Sequence, residues 1–200
     1  MTKNQTMPNR FKLALRRSCR QVREKLSSEY QHAASAKLCS RISNLHQYRH
    51  AKRIALYQAT GGEISLNRLW NSAPLQGKFC YFPVLREDKT LLFLPATPAT
   101  AFVNNQYGIA EPDVDKSQAI APKLLDIIFM PLVAFDHYGT RLGMGAGYYD
   151  RTLANEDHPM LIGVAYEFQH YPYIEPQTWD IPLTAIITER NTYWSKKEND

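Results

Sequence analysis

Positions 139–151, Gly139-Thr140-Arg141-Leu142-Gly143-Met144-Gly145-Ala146-Gly147-Tyr148-Tyr149-Asp150-Arg151, gather alternate glycines at 143, 145 and 147 with two arginines, two tyrosines and an aspartate. Glycine has no Cβ, so a run that repeats it lets successive backbone N–H groups turn toward one anion. Arg141 and Arg151 offer mobile positive charge, and Asp150 offers a hard oxygen of the kind magnesium takes. These residue types read as a phosphate cradle with a metal anchor. The spacing lacks the Gly-Lys-Ser/Thr of a P-loop and is tighter than the dinucleotide fingerprint, so a mobile surface turn is the competing reading of the glycines alone.

A cradle needs a platform. Residues 125–135, Leu-Asp-Ile-Ile-Phe-Met-Pro-Leu-Val-Ala-Phe, read as a buried strand, which puts the glycines in the loop at its C-terminal end, where open α/β sheets bind ligands. From Tyr148 to Leu153 a helix can start, and its free N-terminal N–H groups would add to the same site.

Upstream, Phe11, Leu15, Cys19, Val22 and Leu26 recur at helical spacing and predict an apolar stripe, with Lys12, Arg16, Arg20 and Arg23 as a basic stripe beside it. Such a row ordinarily means a solvated face. The sharper alternative has Lys12 and Arg16, one turn apart, reaching the phosphates. Ser28 to Gln31 matches a capping box and opens a second helix with Tyr30, Ala34, Leu38, Ile42 and Leu45 buried. Residues 53–57 predict the first strand, and 58–63 its exit loop, turned at Gly61-Gly62. Glu63 then stands before a short helix bearing Leu66, Leu69 and Trp70, either as a helix-start carboxylate or as an acceptor for a ligand's N–H donors. A second strand at 78–82 stopped by Pro83, a third at 91–94, an irregular connection over 95–122, and strands at 161–166 and 185–188 complete an α/β pattern.

The length of 200 residues fits one domain, 1–200. Its longest nearly unbroken apolar run, 127–135, falls well short of the roughly 20 residues a membrane helix needs. The polar start does not resemble a signal peptide, so a cytoplasmic location is expected. Cys19, Cys39 and Cys80 fit neither a disulfide framework nor a zinc motif and are read as core or surface thiols. The net charge of +5 admits a nucleic acid or a small polyanion. His32, His46, His50, His137, His158 and His170 show no short metal spacing and are assigned surface or capping roles. Trp179-Asp180-Ile181-Pro182 reads as a fixed turn with Asp180 a structural acceptor, and the charged tail after Trp194 as frayed.

The start Lys12-Leu13-Ala14-Leu15-Arg16, Glu63 after the first strand, Tyr107-Gly108-Ile109-Ala110-Glu111-Pro112, the block 131–151, Trp179-Asp180-Ile181-Pro182 and Thr188-Glu189 together resemble the 5-formyltetrahydrofolate cyclo-ligase, or 5,10-methenyltetrahydrofolate synthetase, family. The resemblance implies a three-layer α/β sandwich with a central mostly parallel sheet, NagB/RpiA/CoA-transferase-like. It also implies conversion of 5-formyltetrahydrofolate, ATP and Mg2+ to 5,10-methenyltetrahydrofolate, ADP and phosphate. Phosphorylating a formyl oxygen makes it a leaving group, a task of positioning and charge neutralisation more than of a side-chain nucleophile.

By the same resemblance, Lys12, Leu13, Ala14, Leu15 and Arg16 with Arg141, Leu142, Gly143, Met144, Gly145, Ala146, Gly147, Tyr148 and Tyr149 correspond to ATP-binding segments, and Asp150 to a magnesium ligand. Met144 to Tyr148 would also face the folate, with Gln58 and Glu63 contacting it from the other loop; Arg141 and Tyr148 are the catalytic candidates. Two positions depart from the family pattern. Ala146 removes a lysine contact that some members make, and Thr184 replaces an aspartate, leaving magnesium an extra water or Asp180. The implied partners are the folate and ATP, with a monomer and neither nucleic acid nor membrane expected. The rival readings are a basic nucleic-acid-binding protein, from the N-terminal helix and the Gly/Tyr/Arg loop, and a folate- or nucleotide-binding scaffold without catalysis.

Overall fold

A computed structural model describes residues 7–154 and 159–195, so His158 and the tail from 196 onward lie outside the described residues. Helices α1 (Met7–Glu24), α2 (Ser28–Asn44) and α3 (His46–His50) lead into strand β1 (Arg53–Ala55) and the short helix α4 (Asn67–Ser72). Strands β2 (Phe79–Leu85) and β3 (Leu91–Pro95) form a hairpin, and β4 (Phe102–Asn104) with β5 (Ala110–Pro112) a second. After β6 (Ile127–Pro131), a small hairpin of β7 (Ala134–Phe135) and β8 (Arg141–Leu142) precedes α5 (Tyr148–Leu153). Strands β9 (Met160–Val164), β10 (Ala185–Ile187) and β11 (Thr192–Trp194) follow.

Seven strands join in the order β11-β10-β9-β6-β1-β2-β3, with parallel pairing throughout the centre and antiparallel pairing only at the two edges. Alternation along each strand assigns its side chains to two faces. Ile54, Phe82, Phe129, Ile162 and Ile187 face Leu38, Ile42, Tyr48 and Leu69 of the α2–α4 layer. Ala55, Tyr81, Ile128, Met130 and Ile186 face Leu153 of α5 together with Leu132, Phe135 and Leu183. The mostly parallel sheet between two covering layers is the architecture expected. Strand β1 lies between β2 and β6, so the chain reverses its direction of travel across the sheet there, and the loops leaving β1 and β6 part to make a crevice.

Two charged side chains, buried Lys78 and exposed Asp126, tie down the opposite end of the sheet. Lys78 Nζ donates to the carbonyls of Tyr48 (2.7 Å), Arg49 (3.2 Å) and Ala51 (2.7 Å), closing the end of α3. Asp126 Oδ2 accepts from the backbone N–H groups of Lys52 (2.6 Å) and Arg53 (2.8 Å), tying β6 to the start of β1.

Several local expectations are corrected. Pro83 does not end β2: it sits beyond the stretch that pairs with β1, where its missing N–H costs no bond to that strand. The connection over 95–122 carries the β4–β5 hairpin, and the strand read over 125–135 is broken at Leu132-Val133, so the β7–β8 hairpin separates β6 from the glycines. The cap of α2 is Ser27, which accepts from Tyr30 N–H at 3.2 Å, one residue earlier than the pattern suggested. Helix α3 and edge strand β11 carried too little local pattern to be read. In α1, Leu15 and Cys19 are buried against Val133, Ala134, Leu142 and Ile174, whereas Phe11 and Val22 are exposed. The basic stripe splits instead, with Lys12 and Arg23 turned inward and Arg20 outward.

Candidate active site

The loop after β1 is a tight turn. Thr60 N–H donates to Glu63 Oε2 (3.1 Å), Glu63 N–H donates back to the Thr60 carbonyl (3.1 Å), and Gly61 and Gly62 both take positive φ, 52° and 75°. Arg23 reaches it from the last turn of α1: Nε donates to the Gly61 carbonyl at 2.8 Å and Nη1 lies 3.4 Å from Glu63 Oε1. Tyr166 Oη donates to the Gly62 carbonyl (3.0 Å), and Tyr57 Oη to that of Ile64 (2.6 Å). A cleft of about 210 Å³ opens here, lined by Gln31, His32, Gln58, Gly62, Glu63 and Ser65. Burial pushes the Glu63 carboxyl above its ordinary range, and Arg23 and the Thr60 amide oppose it.

Across the crevice, the β7–β8 hairpin seats α1 and thereby brings Arg16 to the glycines: its Nε donates to the Gly143 carbonyl at 2.8 Å. Asp180, whose own Oδ2 accepts from Gln177 N–H at 2.8 Å, faces the same guanidinium and supports its charge. Gly145 has φ of 104°, and Gly147, at 70°, is the left-handed residue from which α5 starts. Arg151 donates to the Ala146 carbonyl, so it clasps the loop rather than ranging freely. Among the described residues, none of the backbone N–H groups from 143 to 150 donates a hydrogen bond within the chain. Met144, Gly145 and Ala146 are exposed, so these donors face solvent or whatever ligand replaces it.

Arg141 is not the mobile cation its sequence context suggested. Its side chain is only 6% exposed; Nη2 lies 2.5 Å from Asp150 Oδ1, and Nη1 donates to the Ile181 carbonyl. The same Oδ1 accepts from Ile181 N–H at 3.1 Å. Asp150 Oδ2 has no hydrogen-bond partner among the described residues, and no cluster of three or more His, Cys, Asp or Glu side chains suited to a metal occurs among them. That donor set fits a magnesium carried on a polyphosphate, with one protein oxygen and the rest phosphate and water, rather than an all-protein cage. Thr184 is occupied otherwise, its Oγ1 accepting from Leu161 N–H at 3.2 Å.

Tyr149 lies in the fields of both Glu63, which raises it, and Arg141, which lowers it, though burial is the largest cause of its high pKa; it links the two sides of the crevice. Tyr107, at the tip of the β4–β5 hairpin, lies near enough to Tyr148 to push its hydroxyl pKa up, so that hairpin comes close to the helix start. Lys12, 9% exposed, has no carboxylate within 4.0 Å among the described residues. Leu13 and Ala14 point outward beside it. The crevice therefore assembles Arg16, the glycine loop, Tyr148, Tyr149, Arg141 and Asp150 on one wall, and Gln58 and Glu63 on the other. Sequence reading gave no site role to Arg23, Tyr107 or Tyr166, although Arg23 stood in the basic stripe and Tyr107 in a segment of the family resemblance; periodicity placed Arg23 on the wrong face. His170, expected at the surface or in a cap, does cap the short 3-10 helix Glu167–Gln169, its N–H donating to the Glu167 carbonyl at 3.1 Å, and its ring also stacks on Phe135 with centroids 5.1 Å apart.

A sequence model described as the 5-formyltetrahydrofolate cyclo-ligase family matches residues 8–189. The chain belongs to this family. The Haemophilus influenzae protein named 5-formyltetrahydrofolate cyclo-ligase is 41% identical over 177 residues, spanning 86% of this chain and 95% of the relative. The Escherichia coli K12 protein of the same name is 36% identical over 173 residues, 84% of this chain and 95% of that one. Among solved structures, the Aquifex aeolicus 5,10-methenyltetrahydrofolate synthetase superposes with a TM-score of 0.82 at 32% identity, covering 95% of each chain. The Mycoplasma pneumoniae 5,10-methenyltetrahydrofolate synthetase gives 0.71 at 26% identity, over 89% of this chain and 98% of that one. As a member of the cyclo-ligase family the chain is a ligase, and its mixed sheet is the one those neighbours share.

Proposed function

We propose that this chain closes the imidazoline ring of 5-formyltetrahydrofolate at the expense of ATP, giving 5,10-methenyltetrahydrofolate, ADP and phosphate. The observation that carries the reading is the run of uncommitted amides over 143–150, flanked by Arg16 and facing Glu63 across the β1/β6 crevice. A triphosphate held there takes hydrogen bonds from the loop and charge from Lys12 and Arg16. Arg141 holds Asp150 Oδ1 and leaves Oδ2 for a magnesium arriving with the nucleotide. Such an ion, when bound, neutralises charge on the phosphates.

The folate lies toward Glu63 and Gln58, with the carboxylate accepting from pterin N–H groups and Met144 to Tyr148 near the formyl group. The formyl oxygen attacks the γ-phosphorus as the bond to ADP breaks, leaving a formyl phosphate whose carbon is bonded to a cationic N5. N10 then attacks that carbon, the carbon–oxygen bond breaks with phosphate departing, and the N10 proton is released. Tyr148, protonated at neutral pH as an ordinary tyrosine is and pushed further up beside Tyr107, is a hydroxyl donor for the phosphoryl oxygens. Arg141 acts through Asp150 in this scheme. The buried free thiols Cys19, Cys39 and Cys80 accord with a reducing, cytoplasmic setting.

Mixing the purified protein with 5-formyltetrahydrofolate and MgATP should produce the methenyl absorbance together with one ADP per turnover. Folded protein that yields no ATP-dependent methenyl product would reject the proposal and leave a non-catalytic folate or nucleotide binder.

A further inference from the structure

Arg23 belongs to none of the segments assigned above to nucleotide or folate, yet it is among the most buried charges of the chain, 4% exposed at the end of the helix that also carries Lys12 and Arg16. Three contacts bind it to the turn that presents Glu63. The guanidinium Nε donates to the Gly61 carbonyl, and Nη1 faces Glu63 Oε1. Its backbone carbonyl presses so closely on Gly62 that a Cβ there would sit 2.9 Å from it. The turn therefore cannot shift toward α1, and Glu63 Oε1 is held by α1 while Oε2 is held by the Thr60 amide.

We propose that Arg23 is a positioning residue for the folate: it fixes the Glu63 carboxylate and the 60–63 turn that carries it, without touching either substrate. The inference rests on the folate reading of Glu63. One helix then serves both substrates, with Arg16 reaching the glycine loop two turns before Arg23 reaches the folate wall. Ionisation follows from the same contact. Glu63 is surrounded by Tyr57 just after β1, Tyr149 of α5 and Tyr166 after β9, each of which feels its charge, and His32 lines the same cleft. Among the described residues, Arg23 is the one cation that acts on it. Without that guanidinium only the Thr60 contact opposes burial, and the carboxyl holds its proton to higher pH.

The test measures initial rates as a function of pH for Arg23→Met, Arg23→Lys, Glu63→Gln and the double variant Arg23→Met/Glu63→Gln, with each substrate varied in turn. Arg23→Met should raise KM for 5-formyltetrahydrofolate at least about tenfold and move KM for ATP less than about twofold. It should also carry the acid limb of kcat/KM for folate upward by about one pH unit or more, the effect expected from losing an opposite charge at this range. Arg23→Lys should recover part of both effects, and it serves as the readable variant if Arg23→Met does not fold. On the Glu63→Gln background the Arg23 change should shift no limb. An unmoved limb, or equal losses toward ATP and folate, overturns the proposal while a folate-defective Glu63→Gln leaves the folate reading standing. If Glu63→Gln binds folate normally, the folate reading fails and this inference fails with it.

Discussion

Replacing Asp150 by alanine should disturb the fold as well as the chemistry, contrary to what a solvent-facing metal ligand would do. Arg141 is nearly fully buried, so the change leaves its guanidinium with the Ile181 carbonyl alone and deprives Ile181 N–H of its acceptor. Breaking a buried pair costs about 3–5 kcal/mol. Because the Asp150 side chain is 22% exposed and water can enter its place, about 2–3 kcal/mol is the better figure for this site. For a chain of this length, that lowers Tm by about 4–12 °C. Asp150→Asn keeps an acceptor oxygen for Arg141 and Ile181 and should cost about 1 kcal/mol, or about 2–4 °C.

The two variants thus separate architecture from metal. Both should raise the magnesium concentration needed for half-maximal turnover by at least about tenfold, a change worth about 1.4 kcal/mol. Thermal melts and turnover against free Mg2+ at fixed ATP read the two effects. An Asp150→Ala melt within about 2 °C of wild type would refute the structural reasoning, and an unchanged magnesium requirement in Asp150→Asn would remove the metal role.

Lys12→Ala should raise KM for ATP about tenfold or more with KM for folate little changed, since Lys12 is a buried cation lacking a carboxylate partner among the described residues; steady-state rates with each substrate varied decide it. Lys78→Met strips the donor from three backbone carbonyls and should lower stability by about 3 kcal/mol, read as a Tm loss of about 6–12 °C, while kcat per folded molecule is preserved. Glu63 sets a sign for pH. Its folded pKa lies above the unfolded one, so between the two the folded chain holds a proton the unfolded chain has released, and stability falls as pH rises through that window. Denaturant titrations across mildly acidic pH should show this slope in wild type and a flatter one in Glu63→Gln.

Local rules carried much of this protein. The glycine repeat, the helix that starts after Gly147, the apolar runs of β1, β6, β9 and β10, and the first-strand turn at Gly61-Gly62 are short-range features, written in spacings of two to four residues. Motif content also reached the family, because the glycines come with their tyrosines, aspartate and arginines in one block.

What periodicity could not contain was the identity of distant partners. Two stripes ran side by side along α1, and only its docking on the β7–β8 hairpin decided that Lys12 and Arg23 turn inward while Phe11 and Val22 face water. Arg141 and Asp150 looked like separate tools until the Ile181 backbone closed them into one unit from a segment thirty-odd residues further along the chain. The sequence by itself determined which backbone can cradle an anion, since that follows from residues without a Cβ. Tertiary structure alone decided which charges are spent on one another and which stay available, because a salt bridge is a matter of position in space and its members are chosen by packing between elements.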